Sequence, residues 1–400
     1  MSMNRKDFLK ASALASAMLF VPRFLRSAQY DALTGANEGK VLVVIQLGGG
    51  NDGLNTVVPW QNDLYYKARP QLAHTKGECL RLDDDLALAP GMEGLKGLYD
   101  AGHLALVNGV GYPNPNRSHF RSMDIWQTAS PADQYWNDGW IGRMLDAQCP
   151  DCKPYHAIEV DEGLSLALKG KSMNGIALTN VAQFYRNTHE PFFHSIASQT
   201  PPAHDDHPTL AYLHKTLVET SESAAYLHAQ SKIYSSKAEY PQNPFAQHLK
   251  LVAELIVSGS ATQVYYVSLG GFDTHAGQKG RQGKLLAPYS AAVAAFATDL
   301  QQNRRFQDTT IMTFSEFGRR VAQNASNGTD HGTANNVFLM GGALKKPGIY
   351  NPLPSLADLD EGDLKYSIDF RRVYASVLEG ALGVDATRVL GERFEGLGIV

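Results

Sequence analysis

Asp273 and His275 stand two residues apart, directly after an apolar run closed by Gly270-Gly271. Alternate residues of an extended segment project to one side, and a carboxylate paired with an imidazole suits zinc, manganese or iron. A solvated Asp-Thr-His turn is the competing reading of the same residues. Three more groups with comparable chemistry follow apolar runs. Asp52 lies beyond 41–47 and Gly48-Gly49-Gly50-Asn51, Glu316 beyond 309–314 and Ser315, and Ser118-His119 beyond 103–110 and a Pro/Asn-rich loop. Asp330-His331 closes a polar Gly/Asn loop after Glu316, and no histidine occurs later. Carboxylates gathered at one place must be neutralised, and divalent cations are the usual means. A hydroxyl beside such cations is equipped for in-line displacement on phosphorus or sulfur. Ser118 is the candidate nucleophile, with helix N-capping as its plainer role. Arg117, Arg319 and Arg320 offer guanidinium groups for a tetrahedral oxyanion, and Asn51 joins Arg117 and Arg319 as a candidate substrate-binding residue.

These groups share a rim only if the runs before them are neighbouring strands of one sheet. The segments 41–47, 103–110, 263–269 and 309–314 are rich in Val, Ile, Leu and Tyr and end abruptly at glycine or a polar residue, the pattern of strands buried on both faces. Shorter strands are expected at 155–160, 175–179 and 337–340. Helical spacing marks 92–101, 120–128, 139–147, 209–238, 244–258, 284–300 and 368–382. Strand and helix alternate, so a parallel sheet with crossover helices is expected, and ligands in such folds bind beyond the carboxyl ends of the strands. Residues 60–81 read as a loop with one helical turn. Residues 180–207, with His189, His194, His204 and His207, read as a surface insertion of lid or substrate-contacting type. No repeat or low-complexity linker interrupts the chain, so one elaborated domain over 39–400 is expected, with its insertion at about 180–240.

Hydrophobic residues make up 44% of the 400 residues and charged ones 19%, which fits a packed core. The net charge of −4 and the lack of any basic run argue against a nucleic-acid partner. Residues 1–28 combine Arg5-Lys6 and Lys10 with a short apolar run, the composition of an export signal. Arg5-Lys6-x-Phe8-Leu9-Lys10 is similar to a twin-arginine motif with Lys in the second place. The expected destination is the periplasm or cell surface, with no transmembrane anchor once the signal is removed. Cys149 and Cys152 form a C-x-x-C without a second such pair, which favours a small loop disulfide in an oxidising compartment. Cys79 is expected to be buried and inert.

The segments 47–55, 116–120, 271–275, 315–319 and 330–332, together with the export signal, resemble the DUF1501 family, which is placed in the alkaline phosphatase/sulfatase-like superfamily. That resemblance implies a doubly wound, mostly parallel α/β sheet flanked by helices, with a helical or loop insertion. It implies one or two divalent metal ions, such as zinc or manganese, and a small-molecule or saccharide ester as substrate. Carried onto this chain, Asp52, Asp273, His275, Glu316, Asp330 and His331 are the implied ligands and Ser118 the implied nucleophile. Either Glu316 takes the place of the superfamily's Asp in its Asp-His pair, with His331 as the late histidine, or Asp330-His331 is that pair; the first is preferred because Glu316 directly ends a strand. His119 is the alternative to Ser118, as ligand or general acid. No Cys-x-Pro-x-Arg sulfatase signature is present. A cell-envelope binding protein that retains the fold without turnover is the competing function.

Overall fold

A computed structural model describes residues 39–148, 152–199 and 208–400. The export signal and Cys149 therefore lie outside the described residues, as do His204 and His207.

Strand β1 (Val41–Leu47) is buried along its whole length. Val41, Val43, Ile45 and Leu47 face one core and Leu42 and Val44 the other, which explains why its sequence is continuously apolar rather than alternating. The remaining strands of this sheet are β2 (Leu104–Gly111), β3 (Ala157–Val160), β4 (Ile176–Ala177), β5 (Val264–Leu269), β6 (Thr309–Phe314), β7 (Asn335–Gly341), β8 (Gly348–Ile349) and β9 (Ile368–Asp369). Their order is β8-β2-β7-β6-β1-β5-β3-β4, with β9 also paired to β2. β1 pairs in parallel with β5 and β6, and β7 is antiparallel to both β2 and β6. The sheet is thus mostly parallel, with β7 reversed.

Helices cover both faces. The first core contains residues of α1 (Glu93–Asp100), α4 (Pro244–Val257) and α5 (Gln278–Gln302), and the second contains residues of α2 (His119–Thr128), α3 (Trp140–Gln148) and α6 (Phe370–Ser376). Because β1, β2, β5 and β6 run in parallel, their carboxyl ends share one edge. The reversed β7 brings its amino end, preceded by the loop carrying His331, to that same edge.

Three departures from the sequence reading have physical causes. α5 begins six residues before position 284 despite Gly280 and Gly283. Gln278 and Gln282 in that extra turn are buried because their amides bond the loop after β1: Gln278 Nε2 donates to Asp52 Oδ2, and Gln282 Nε2 to Asn51 Oδ1 at 2.9 Å. The segment 180–199 is not a loop but two helices, Val181–Thr188 and Pro191–Ala197, the first capped by Asn180 Oδ1, which accepts from Gln183 N at 2.8 Å. The last expected helix is shorter. Ile368–Asp369 pairs with β2, Asp369 caps α6, and Val377–Ala381 then widens into a π-helical turn.

Candidate metal centre

The loops at this edge are drawn together by glycines and by main-chain pairing. Gly50 has φ +67°, and a Cβ there would stand 2.2 Å from the Phe317 ring, so only glycine lets the β1 loop lie on that side chain. Beyond β6 the chain returns on itself: Gly318 N donates to Thr333 O at 2.8 Å and Gly332 N to Gly318 O at 2.9 Å, an antiparallel bridge that sets His331 beside Arg319. Asn324 Nδ2 donates to His275 O at 3.0 Å, joining this loop to the one after β5. On the other side, Ser122 Oγ of α2 donates to Glu316 O at 2.6 Å, fixing the start of that helix against the end of β6.

Three imidazoles and one carboxylate result. Asp273 Oδ1 lies 3.0 Å from His275 Nε2, 3.3 Å from His331 Nε2 and 3.4 Å from His119 Nε2. His275 Nε2 and His331 Nε2 are 2.9 Å apart. Among the described residues, His119, Asp273 and His331 form a group whose ligand atoms all fall within 4.8 Å of one another. Phe317 floors the cluster, its ring centre 4.8 Å from that of His119 and 4.9 Å from that of His331.

The outward nitrogens decide what the inward ones do. His331 Nδ1 is 2.7 Å from the Arg117 carbonyl, which only accepts, so Nδ1 carries the proton and Nε2 a lone pair. His119 Nδ1 is 2.8 Å from Glu316 Oε1, and His275 Nδ1 is 3.4 Å from Asp330 Oδ1. In its neutral form each ring, with Nδ1 bonded to an oxygen, presents an Nε2 lone pair toward Asp273 Oδ1, itself an acceptor. His119 Nε2 is buried and has no hydrogen-bond partner. Such a convergence of lone pairs is unfavourable unless a cation sits among them. Tetrahedral zinc with ligands at 2.0–2.1 Å places neighbouring ligand atoms about 3.3 Å apart. The three spacings to Asp273 Oδ1 and that between His275 and His331 run from 2.9 to 3.4 Å, and His119, Asp273 and His331 stay within 4.8 Å of one another. Imidazoles whose other nitrogen is held by a carboxylate or carbonyl are the usual partners of such ions. The donor set fits a divalent transition-metal ion.

Charge follows the same geometry. The bond to Glu316 raises the His119 pKa against the opposing effect of burial. Burial lowers that of His331, partly offset by the Arg117 carbonyl and by Asp273. Burial acts to raise the Asp273 pKa, but bonds from Arg319 and His331 and the Arg319 charge outweigh it and hold the carboxyl well below the usual range. The bond from Asn324, then that from His275, lowers Asp330.

The other expected site residues have different surroundings. Asp52 does not join the cluster. Its Oδ2 pairs with Arg69 Nη1 at 2.6 Å, both side chains fully buried, and its Oδ1 caps Leu54 N and Asn55 N at 3.1 and 3.3 Å. Glu316 is 1% exposed and stands behind His119, also accepting from Gly49 N at 2.9 Å. Asn51 turns its amide to Thr56 and Gln282 in the interior, a correction to its place among substrate-binding groups. Arg319 is likewise fully buried: Nε donates to Gly50 O at 2.6 Å, Nη1 to Thr329 O at 3.0 Å, and Nη2 to Asp273 Oδ1 at 2.8 Å. Arg117 and Arg320 remain part-exposed, both beside the buried Asp363 carboxylate, which accepts from Arg117 Nε at 2.8 Å and lies 3.7 Å from Arg320 Nε. Ser118 is the exposed N-cap of α2, and its hydroxyl makes no capping bond. Arg69 and Asp363 were not singled out in the sequence. A lone Arg in a polar loop and an Asp in 359–364 carry no signal of the carboxylates they will meet. Cys79 is half-buried, its thiol pushed up to about 11 chiefly by burial.

A mostly parallel α/β sheet carrying a three-His, one-Asp cluster at its carboxyl edge is thus the class that fold and site define. The chain belongs to the DUF1501 family, described as a protein of unknown function, whose family model matches residues 39–392. No curated protein matches it. Among solved structures it is similar to the lipoteichoic acid synthase LtaP from Listeria monocytogenes, at 9% identity and TM-score 0.41, covering 93% of this chain and 82% of that one. It is also similar to the C-terminal periplasmic domain of EcEptC from Escherichia coli in complex with Zn, at 12% identity and TM-score 0.40, covering 90% and 88%. A protein in the alkaline phosphatase superfamily from Vibrio parahaemolyticus matches at 10% identity and TM-score 0.36, covering 89% and 70%. Among the described residues no helix is long and apolar enough to cross a membrane.

Proposed function

We propose that this chain is an exported, metal-dependent hydrolase of phosphate or sulfate esters of small molecules or saccharides. One observation carries the reading: the Nε2 atoms of His119, His275 and His331 converge on Asp273 Oδ1 while each Nδ1 is held by an oxygen acceptor. A divalent ion held there supplies Lewis-acid polarisation of the ester and offsets the charge that develops on its oxygens. Ser118 is the nucleophile in this reading, because it is exposed, free of a capping bond and at a helix N-terminus that favours an anionic oxygen. Its Oγ attacks phosphorus or sulfur as the bond to the departing alcohol breaks. The hydroxyl proton leaves with that alcohol, and water then hydrolyses the seryl ester to free the inorganic anion. Arg117 and Arg320, both part-exposed, supply the guanidinium groups for that anion, whereas Arg319 serves to hold Asp273. Export rests on the composition of residues 1–28, with the twin-arginine route as its form.

The test is a panel of aryl phosphates and aryl sulfates with added Zn2+ or Mn2+, run on full-length protein purified from its native compartment. Turnover of one ester class, lost in Asp273→Ala, is the expected result. A silent panel together with metal-free protein overturns it and favours a second reading, a cell-envelope binding protein that keeps the fold. That reading has its own observation: Phe192, Phe193, Leu210, Tyr212 and Leu213 are all solvent-exposed on the helical insertion.

A further inference from the structure

Two fully buried arginines bind these strand-end loops, and each is hydrogen-bonded at every guanidinium nitrogen. Arg319 gives its donors to four main-chain carbonyls (Gly49, Gly50, Phe272 and Thr329) and to Asp273 Oδ1, with no side-chain exposure. Arg69 binds Asp52 Oδ2, Asn55 Oδ1 at 2.8 Å, Val321 O at 2.8 Å and Arg320 O at 2.8 Å, and it is equally buried. Each guanidinium is a fixed cation in a medium where charge is weakly screened. Each also meets a carboxylate at the strand-end rim: Arg69 at Asp52 Oδ2, and Arg319 at Asp273 Oδ1, the same oxygen that the imidazoles face.

A second divalent ion beside the first needs acceptor groups left free, and it must tolerate the charges around it. Asp52 has none to give, since Oδ2 takes Arg69 and Gln278 while Oδ1 takes Leu54 N and Asn55 N. Glu316 spends Oε1 on His119 and Gly49 N, and its Oε2 is 3.1 Å from Ser315 Oγ. Bringing another dication against Asp273 would press it on the Arg319 guanidinium 2.8 Å from Oδ1, at a Coulomb cost that burial makes large.

We infer that the centre binds a single divalent cation, with the buried Arg319 guanidinium supplying the second positive charge that Asp273 meets. The inference rests on the metal-centre reading above and adds to it the number of ions and the residue that stands in for the other. Arg319 is a positioning residue here: it fixes the carboxylate that the imidazoles face and is itself closed off from solvent.

The experiment is a Co2+ titration of the metal-stripped full-length protein, followed by visible absorption and checked by calorimetry and elemental analysis, with circular dichroism confirming the fold. One equivalent giving a four-coordinate cobalt spectrum, absent in Asp273→Ala and in His331→Ala, is expected. Two equivalents that both vanish in those variants overturn the single-ion inference and leave the hydrolase reading standing. No equivalent sensitive to either substitution overturns the metal centre, and the inference falls with it. Asp52→Asn gives an independent arm: an unchanged equivalent and spectrum support the inference, and loss of a bound ion in that folded variant overturns it.

Discussion

Asp52 and Asp273 both follow a buried parallel strand, both lie past glycines, and their strands β1 and β5 are neighbours in register from Leu42↔Val264 to Leu47↔Leu269. Their fates differ because of what comes to meet them. Asp52 meets donors only, namely a guanidinium, a primary amide and two main-chain N–H groups, and it is sealed from solvent. Asp273 meets one guanidinium and three imidazoles whose Nδ1 atoms are each held by another oxygen, and its side chain stays 48% exposed. Glu159, near the end of β3, meets neither. It is 3% exposed and accepts from Ser165 N at 2.6 Å, and burial raises its pKa to about 7. One sheet edge thus handles a strand-end carboxylate in three ways: with a guanidinium and N–H donors, with a guanidinium and three imidazoles, or by burial that favours its protonated form. A carboxylate after a strand is therefore not a ligand by position. The surplus or shortage of donors around it decides.

That contrast breaks most sharply at Asp273. Asp273→Ala is expected to remove cation binding and activity together, beyond the roughly 10–100-fold loss typical of an outer partner. Calorimetry and turnover are the readouts, and retention of either ends the contrast. Asp52→Ala acts elsewhere. It leaves the Arg69 charge buried beside Asn55 and two carbonyls, so unfolding in urea is expected to show a loss of about 3–5 kcal/mol, with cation stoichiometry intact in the folded fraction. Glu159→Gln tests the third mode. The folded pKa near 7 lies above the ordinary 4.5, so the contribution of Glu159 to stability is full below pH 4.5 and is lost as pH rises through 7. Relative to the wild type, the Gln variant is expected to gain about 3 kcal/mol between pH 4.5 and pH 8. A pH-independent difference between the two unfolding curves would contradict that assignment.

Much of this edge was legible because buried parallel strands write themselves as continuous apolar runs. β1, β5 and β6 stand within a residue of their expected bounds; Asp273 and Glu316 beyond β5 and β6 both contact His119, whereas Asp52 beyond β1 turns to Arg69 instead. What periodicity does not carry is direction of approach. Nothing local marks Arg69 as the partner of Asp52, because the pair joins a loop at 51–55 to the end of a six-residue helix that the polar segment 60–81 half conceals. Nor does it show that Glu316 would stand behind His119. That arrangement depends on Ser122 anchoring α2 to the Glu316 carbonyl, a contact across 194 residues. The early start of α5 was hidden for a similar reason, as Gly280 and Gly283 speak against a helix that buried Gln278 and Gln282 hold in place.

Glu316 gives the finest division between touching a cation and aiming the group that touches it. Its Oε1 takes His119 Nδ1 at 2.8 Å and Gly49 N at 2.9 Å, so Glu316→Gln keeps an acceptor of the same shape and loses only the charge. His119 then keeps its tautomer but becomes a weaker ligand, and cation affinity is expected to fall about tenfold, the lower end of outer-partner effects. The spectrum of bound Co2+ should be nearly unchanged, since the ligand atoms are the same. Glu316→Ala removes the acceptor as well and frees the ring to turn, so both affinity and spectrum should change. If Glu316→Gln instead abolishes binding as completely as Asp273→Ala, then Glu316 touches the ion directly, and the line drawn here between the carboxylate among the imidazoles and the one behind them is in the wrong place.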